Sequence, residues 1–195
     1  MKSHPHLLLD FEDRGHHADP AKPTLLSKAH HALITMKLSP RIGTEVTELQ
    51  LSQLKHAQKD ELALLAAKRG VVVFRDQGFK DIVPEKQKEF GLYFGRLHVH
   101  PVGAHDRDHI EFHNIYIGKD NLYPVGGDSS KLTTTGYHSV VSCEHQPAAI
   151  TISTLFQVPE TGGDTVWTSQ AAAYEHLSEP MRVFLEGLEP GLSRP

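Results

Sequence analysis

The sequence is short of several things, and each shortage narrows the field. It holds one cysteine, Cys143, so no disulfide can close within the chain, which suits a reducing compartment. It has no surplus of positive charge: 20 Lys and Arg stand against 24 Asp and Glu, a net charge of -4, and no basic footprint points to nucleic acid. No apolar run approaches the length of a membrane span. The opening "MKSHPHLLLDFEDRGHH" has only three consecutive leucines before acidic residues, so it is neither a secretory signal nor an Arg-rich transit peptide. These absences describe a cytoplasmic chain with no nucleic-acid or membrane partner. Internal repeats are missing, and so is a phosphate loop, because "GGDT" lacks the GxxxxGK[ST] spacing.

What is there is ordinary in bulk. Over 195 residues, 38% are hydrophobic and 23% charged, enough for one domain with a real core. Histidine is abundant, with 15 scattered residues. Six of them (His4, His6, His16, His17, His30, His31) fall in a polar leader over residues 1–35 that shows no helical or strand period and reads as unordered.

Order is expected from "MKLSPRIGTEV" onward. "HAQKDELALLAAKR" predicts a helix over 56–69, with Leu62, Leu65 and Ala66 on one face and Gly70 as its stop. "VVVFR", 71–75, reads as a short buried strand. Pro84 opens a second helix that runs to Gly95, with Phe90 and Phe94 one turn apart and facing the core. Further strands are predicted over 109–118, with a bulge, over 148–158, and at "TVWTS". "AAAYEHL" reads as helix, and Ser178 as the cap of "EPMRVFLEGL". With no βαβ rhythm, the tally is an α+β or barrel-type domain with flanking helices.

The chemistry concentrates in "TTTGYHSVVSCEHQP", residues 133–147. A non-haem ferrous site needs two imidazoles and a carboxylate on one face of the metal, and an H-x-D pair supplies two of the three. Here His138 is followed two positions on by Val140. Taken alone, His100 in "LHVHP" fits a hydrogen-bonded edge histidine, and Thr165 fits a strand for packing reasons.

The order "FRDQ", "FGRLHVHPV", "GYHSVVSCEHQPAA", "PETGGDTVWTSQAAAYEHLS" resembles the TauD/TfdA family of Fe(II)/2-oxoglutarate-dependent dioxygenases, and within it the fungal sulfonate (taurine-type) members. The resemblance runs over residues 36–189 and leaves 190–195 as an atypical tail. It implies a double-stranded β-helix (jelly roll) with flanking helices, Fe(II) and 2-oxoglutarate as cofactors, and a small sulfonate or related acid as substrate. By position, His138 matches the first iron-binding histidine and Val140 stands where the family has its ligand Asp. Thr165 matches the threonine that binds a 2-oxoglutarate carboxylate, His100 the sulfonate-contacting histidine, and Val141 a backbone position lining the substrate pocket.

Two departures strike the iron. Val140 offers no lone pair. After Thr165 the sequence offers His176 and Arg182 on helical stretches, not on the family's distal histidine and arginine segment. The expectation is a partial jelly roll with its C-terminal half missing and little or no turnover from this chain. The alternative is a catalytically dead homologue acting as a binding or oligomerisation module, as a homo-oligomer or paired with an intact homologue.

Overall fold

The computed structural model describes residues 10–23, 35–101, 104–115, 137–142, 144, 146–162 and 164–188. The chain divides into two compact units, one built from Phe11–Gly95 with Ile152–Gly191, the other from Met1–Asp10, Arg96–Thr151 and Leu192–Pro195.

In the first unit, α1 spans His56–Arg69, as the apolar spacing predicts. The Gln58 side chain accepts from the Lys55 N–H at 2.9 Å and so occupies one of the orphan donors at the helix start. Gly70 ends the helix with φ of 69° and donates its N–H to the Ala66 carbonyl at 2.7 Å. Strand β1 (Thr35–Lys37) pairs antiparallel with β2 (Thr44–Val46), and β2 pairs parallel with β3 (Val72–Phe74). Parallel neighbours need a crossover connection, and α1 lies in it. The unit therefore contains the βαβ arrangement that the sequence reading does not find. Its first strand is the three residues Thr44, Glu45 and Val46, too short to show a period. β3 falls within the predicted 71–75 but is half-buried rather than fully buried.

Arg69 fastens the end of α1 to the β1–β2 connection. Its guanidinium donates to Thr44 Oγ1 (2.9 Å) and to the carbonyls of Pro40 (3.0 Å), Ser39 (2.7 Å) and Gly43 (2.8 Å). A planar five-donor group suits this convergence of fixed acceptors. On the far side of the sheet strand β3, two glutamines clasp facing backbones. Gln77 Oε1 accepts from Leu51 N–H, Gln50 Oε1 accepts from Gly78 N–H (both 2.9 Å), and Gln50 Nε2 donates to the Asp76 carbonyl at 2.8 Å. Gln77 is the last residue of the "FRDQ" motif.

The core packs Leu51, Leu54, Leu62, Ala63, Phe79, Phe90 and Phe94. α2 spans Pro84–Leu92, and its Phe90 meets Phe79 and Phe94 edge-on at 5.1 and 5.4 Å between ring centroids. Such edge-to-face pairs add to the stabilisation from burial.

The leader departs from expectation. Residues Arg14–His17 form a 3-10 helix against α1, with Gly15 buried. A Cβ on Gly15 would come within 3.1 Å of the Leu64 backbone nitrogen. Arg14 lies over the Tyr93 ring at 5.1 Å and donates to the Tyr93 carbonyl at 3.3 Å. The polar composition hid these anchors, which are single contacts rather than a period. The rest of the leader, 1–9 and 24–34, lies outside the described residues.

The strands predicted over 148–158 and at "TVWTS" do not form among the described residues. The alternation at Ile150 and Ile152 is real, but a strand exists only through a ladder with a neighbour. Ile152, Leu155, Phe156, Val158, Val166 and Trp167 are all exposed. Ser169 instead caps α3 (Gln170–Glu175), accepting from Ala172 N–H at 3.1 Å. α4 spans Glu179–Glu186 after Ser178, whose side chain makes no capping bond. In the second unit, the predicted 109–118 strand reduces to β5 (His113–Asn114), antiparallel to β4 (Ala104–His105), because residues 110–111 turn. The described residues hold a three-stranded mixed sheet and a two-stranded hairpin, and the class is α+β.

Candidate functional site

Residues 137–142 run irregularly into a tight turn. His138 is exposed, Val140 is 45% exposed, and Val141 is buried with φ of 46°. A β-branched residue seldom adopts this left-handed conformation, because its Cβ substituents crowd the backbone. Holding it there costs about 1–3 kcal/mol. The turn is closed by the Glu144 N–H donating to the Val141 carbonyl at 2.9 Å and by a 2.7 Å bond between the Ser139 and Ser142 hydroxyls. Cys143 and His145 lie outside the described residues.

The Glu144 carboxylate stands 2.8 Å from His98 Nε2, a contact that becomes an ion pair when the imidazole is protonated. It joins the turn that follows His138 to the segment carrying His100. Both side chains are largely withdrawn from solvent, at 27% and 20% exposure.

His100 belongs to a row of imidazoles. Its ring centroid lies 4.4 Å from that of His113 and 6.4 Å from that of His98, and His113 lies 6.2 Å from His105. His105 and His113 are register partners across the β4–β5 hairpin. Burial, then the neighbouring His100 and His105, hold the His113 imidazole below its ordinary range. Sequence reasoning singles out His100 through the family resemblance and gives His98, His105 and His113 no role. The signals were the H-x-H of "HVHP" and the hairpin pairing, and the second cannot be read without the structure.

Thr165 is exposed, in an irregular segment of the other unit. Gly162 takes φ of 78° in the preceding turn, while Gly163 lies outside the described residues. His176 closes α3, with Nδ1 2.6 Å from the Ala172 carbonyl, and is committed to that helix.

These residues do not fit a ferrous ion. Such a site requires two imidazoles and one carboxylate converging on one face of the metal. Among the described residues no three of His, Cys, Asp and Glu are grouped to hold a metal ion. His138 is accompanied at the decisive position by an isopropyl group, which has no electron pair to give.

Residues 35–190 match the family described as taurine catabolism dioxygenase TauD, TfdA family. An alpha-ketoglutarate-dependent sulfonate dioxygenase of Saccharomyces cerevisiae is 36% identical over 182 residues, covering 92% of this chain and 44% of the yeast protein. The alpha-ketoglutarate-dependent dioxygenase cnsP of Penicillium expansum is 43% identical over 178 residues, covering 90% of this chain and 47% of its own length. The crystal structure of a taurine dioxygenase from Burkholderia xenovorans superposes with a TM-score of 0.58 at 30% identity, over 80% of this chain and 51% of that one. The chain thus spans about half the length of the relatives it matches. The matched span takes in nearly all of the described structure, from β1 through α4, together with His100, His138 and Thr165, and the chain belongs to the TauD/TfdA dioxygenase family.

Proposed function

We propose that this chain carries one portion of a 2-oxoglutarate-dependent, sulfonate-type dioxygenase and has little or no turnover by itself. The family match and the sulfonate dioxygenase relatives support the class of chemistry. The observation that carries the second half is Val140, together with the lack of any three-donor group among the described residues. On this reading His100 contacts a sulfonate oxygen, the strained Val141 backbone lines the substrate pocket, and Thr165 Oγ1 binds a carboxylate of 2-oxoglutarate. His138 is a residual ligand that cannot fix the metal's geometry. The jelly roll and a cytoplasmic location belong to the same proposal. Among the described residues no helix is long and apolar enough to cross a membrane.

A second reading has one specific observation in its favour. Ile152, Leu155, Phe156, Val158, Val166 and Trp167 expose apolar side chains along two irregular segments that have no strand partner among the described residues. Surface of this kind favours pairing with another chain, so the protein acts as an oligomerisation module for an intact homologue.

A turnover assay with Fe(II), 2-oxoglutarate and taurine separates these readings. The expected result is no taurine-dependent succinate release from the chain alone. Clear release would overturn the proposal. Co-elution with an intact homologue, tested in parallel, decides for or against the module.

A further inference from the structure

His100 and His138 both stand on irregular backbone. Residues 96–100 and 137–139 belong to no helix or strand, so no ladder of backbone hydrogen bonds fixes either segment. Stretches of this kind open easily unless side chains tie them to something else.

The turn after His138 also carries a cost. Val141 is buried with φ of 46°, and strain of this sort persists where the surroundings over-determine the backbone. Two contacts lie inside the turn and move with it: the Glu144 N–H on the Val141 carbonyl at 2.9 Å, and the Ser139 and Ser142 hydroxyls at 2.7 Å. A third leaves the turn. The Glu144 carboxylate stands 2.8 Å from His98 Nε2, 46 residues back along the chain. A carboxylate accepts and does not donate, so Nε2 supplies the hydrogen. At 27% and 20% exposure the two side chains are partly shielded from water, which makes the contact worth more than a pair on open surface.

The same residue therefore closes the turn with its N–H and reaches out of it with its carboxylate. At the other end, His98 is two residues from His100 in one short segment, and the two rings meet edge-on at 6.4 Å between centroids. Holding His98 holds the backbone from which His100 projects.

We propose that Glu144 and His98 are positioning residues, a hydrogen-bonded latch that sets the His138 turn against the 96–101 segment and so fixes the placement of His138 and His100 together. The assignment holds whatever those two histidines bind. Its test needs neither metal nor substrate, and its failure would leave the dioxygenase reading to be decided by the turnover assay.

The test is amide hydrogen exchange at the Glu144 N–H, read by nuclear magnetic resonance on the whole chain, with the amides of α1 in the other unit as reference. His98→Ala and Glu144→Ala should each speed exchange at that amide by about tenfold relative to α1, the scale of one partly shielded charge-assisted hydrogen bond. The double variant should be no faster than the faster single, because one contact can be lost once. Glu144→Gln keeps an acceptor and should retain part of the protection. Each single variant is also read on the far side of the contact. His98→Ala should shift the imidazole signals of His138, and Glu144→Ala those of His100, which a purely local role for either side chain would not do. Both side chains are partly exposed, so the variants are expected to fold.

Unchanged exchange at Glu144 in the two alanine variants would overturn the proposal, as would equal acceleration throughout α1. Additive acceleration in the double variant would show two independent effects and refute the pairing. Glu144→Gln as fast as Glu144→Ala would refute hydrogen bonding as the link. Unmoved His138 and His100 signals would refute the positioning role.

Discussion

Replacing Arg69 by alanine should unlock the βαβ part of the first unit. The guanidinium makes four hydrogen bonds, three to backbone carbonyls and one to Thr44 Oγ1, all between 2.7 and 3.0 Å. Thr44 is buried at 4% exposure, so its hydroxyl has little water to turn to once the arginine is gone. A charge-assisted hydrogen bond nets about 1.5–3 kcal/mol in a dry setting. Arg69 itself is half-buried, and solvent reclaims part of that, so the four together should contribute about 2–4 kcal/mol. The lysine variant keeps the charge but cannot span four acceptors, and should lose about half as much. The helices α1 to α4 all belong to this unit, so far-ultraviolet circular dichroism during urea unfolding reports on it. With a urea slope of about 2 kcal/mol per molar, the alanine variant's midpoint should fall by about 1–2 M. The neighbouring exposed Lys68→Ala should move it by less than about 0.3 M. An Arg69→Ala midpoint within the Lys68→Ala range would refute the idea that this side chain holds the helix to the strands.

Three further outcomes follow from the same unit. Phe90→Ala removes the central ring of the Phe79–Phe90–Phe94 stack and should cost about 3–5 kcal/mol in the same unfolding measurement. Gln77→Ala breaks half of the glutamine clasp and leaves the Leu51 N–H unsatisfied, which should cost about 1–3 kcal/mol, with Gln77→Glu recovering the acceptor and part of the loss. The Tyr93 hydroxyl donates to Asp60 at 2.7 Å and stands 3.1 Å from the His56 carbonyl, and burial ahead of the Asp60 contact pushes its pKa up to about 12. Because the folded value lies above the unfolded one, this stabilisation is complete below about pH 10 and disappears as pH rises toward about 12. Ultraviolet titration should show a tyrosine ionising at about pH 12, and Tyr93→Phe should remove that step.

Legibility in the sequence tracked how local the determinants are. α1 and α2 could be placed because a 3.6-residue apolar spacing, Pro84 and the glycine stop are all written within one helix. β2 could not, because three residues carry no period and its pairing is set by the parallel partner across α1. The segments at Ile150–Ile152 and Thr165–Thr168 show the opposite failure. Their alternation and β-branched residues are suited to strands, but the ladder that makes a strand is a property of two segments, and among the described residues they have none. At the site, His138, Val140, His100 and Thr165 were found through a motif order shared with a family. The Glu144–His98 contact, 46 residues apart, and the imidazole row could be seen only once the chain was folded. The leader's Arg14 anchor was hidden for the same reason: its acceptor is 79 residues away.

The central claim concerns metal coordination, and anaerobic addition of Fe(II) and 2-oxoglutarate to the purified chain tests it most directly. A ferrous ion chelated by the keto acid in an ordered protein site gives a visible charge-transfer band that saturates at one metal per chain. With Val140 in place of a carboxylate, the account predicts no such saturable band. A band titrating to one iron per chain would contradict it.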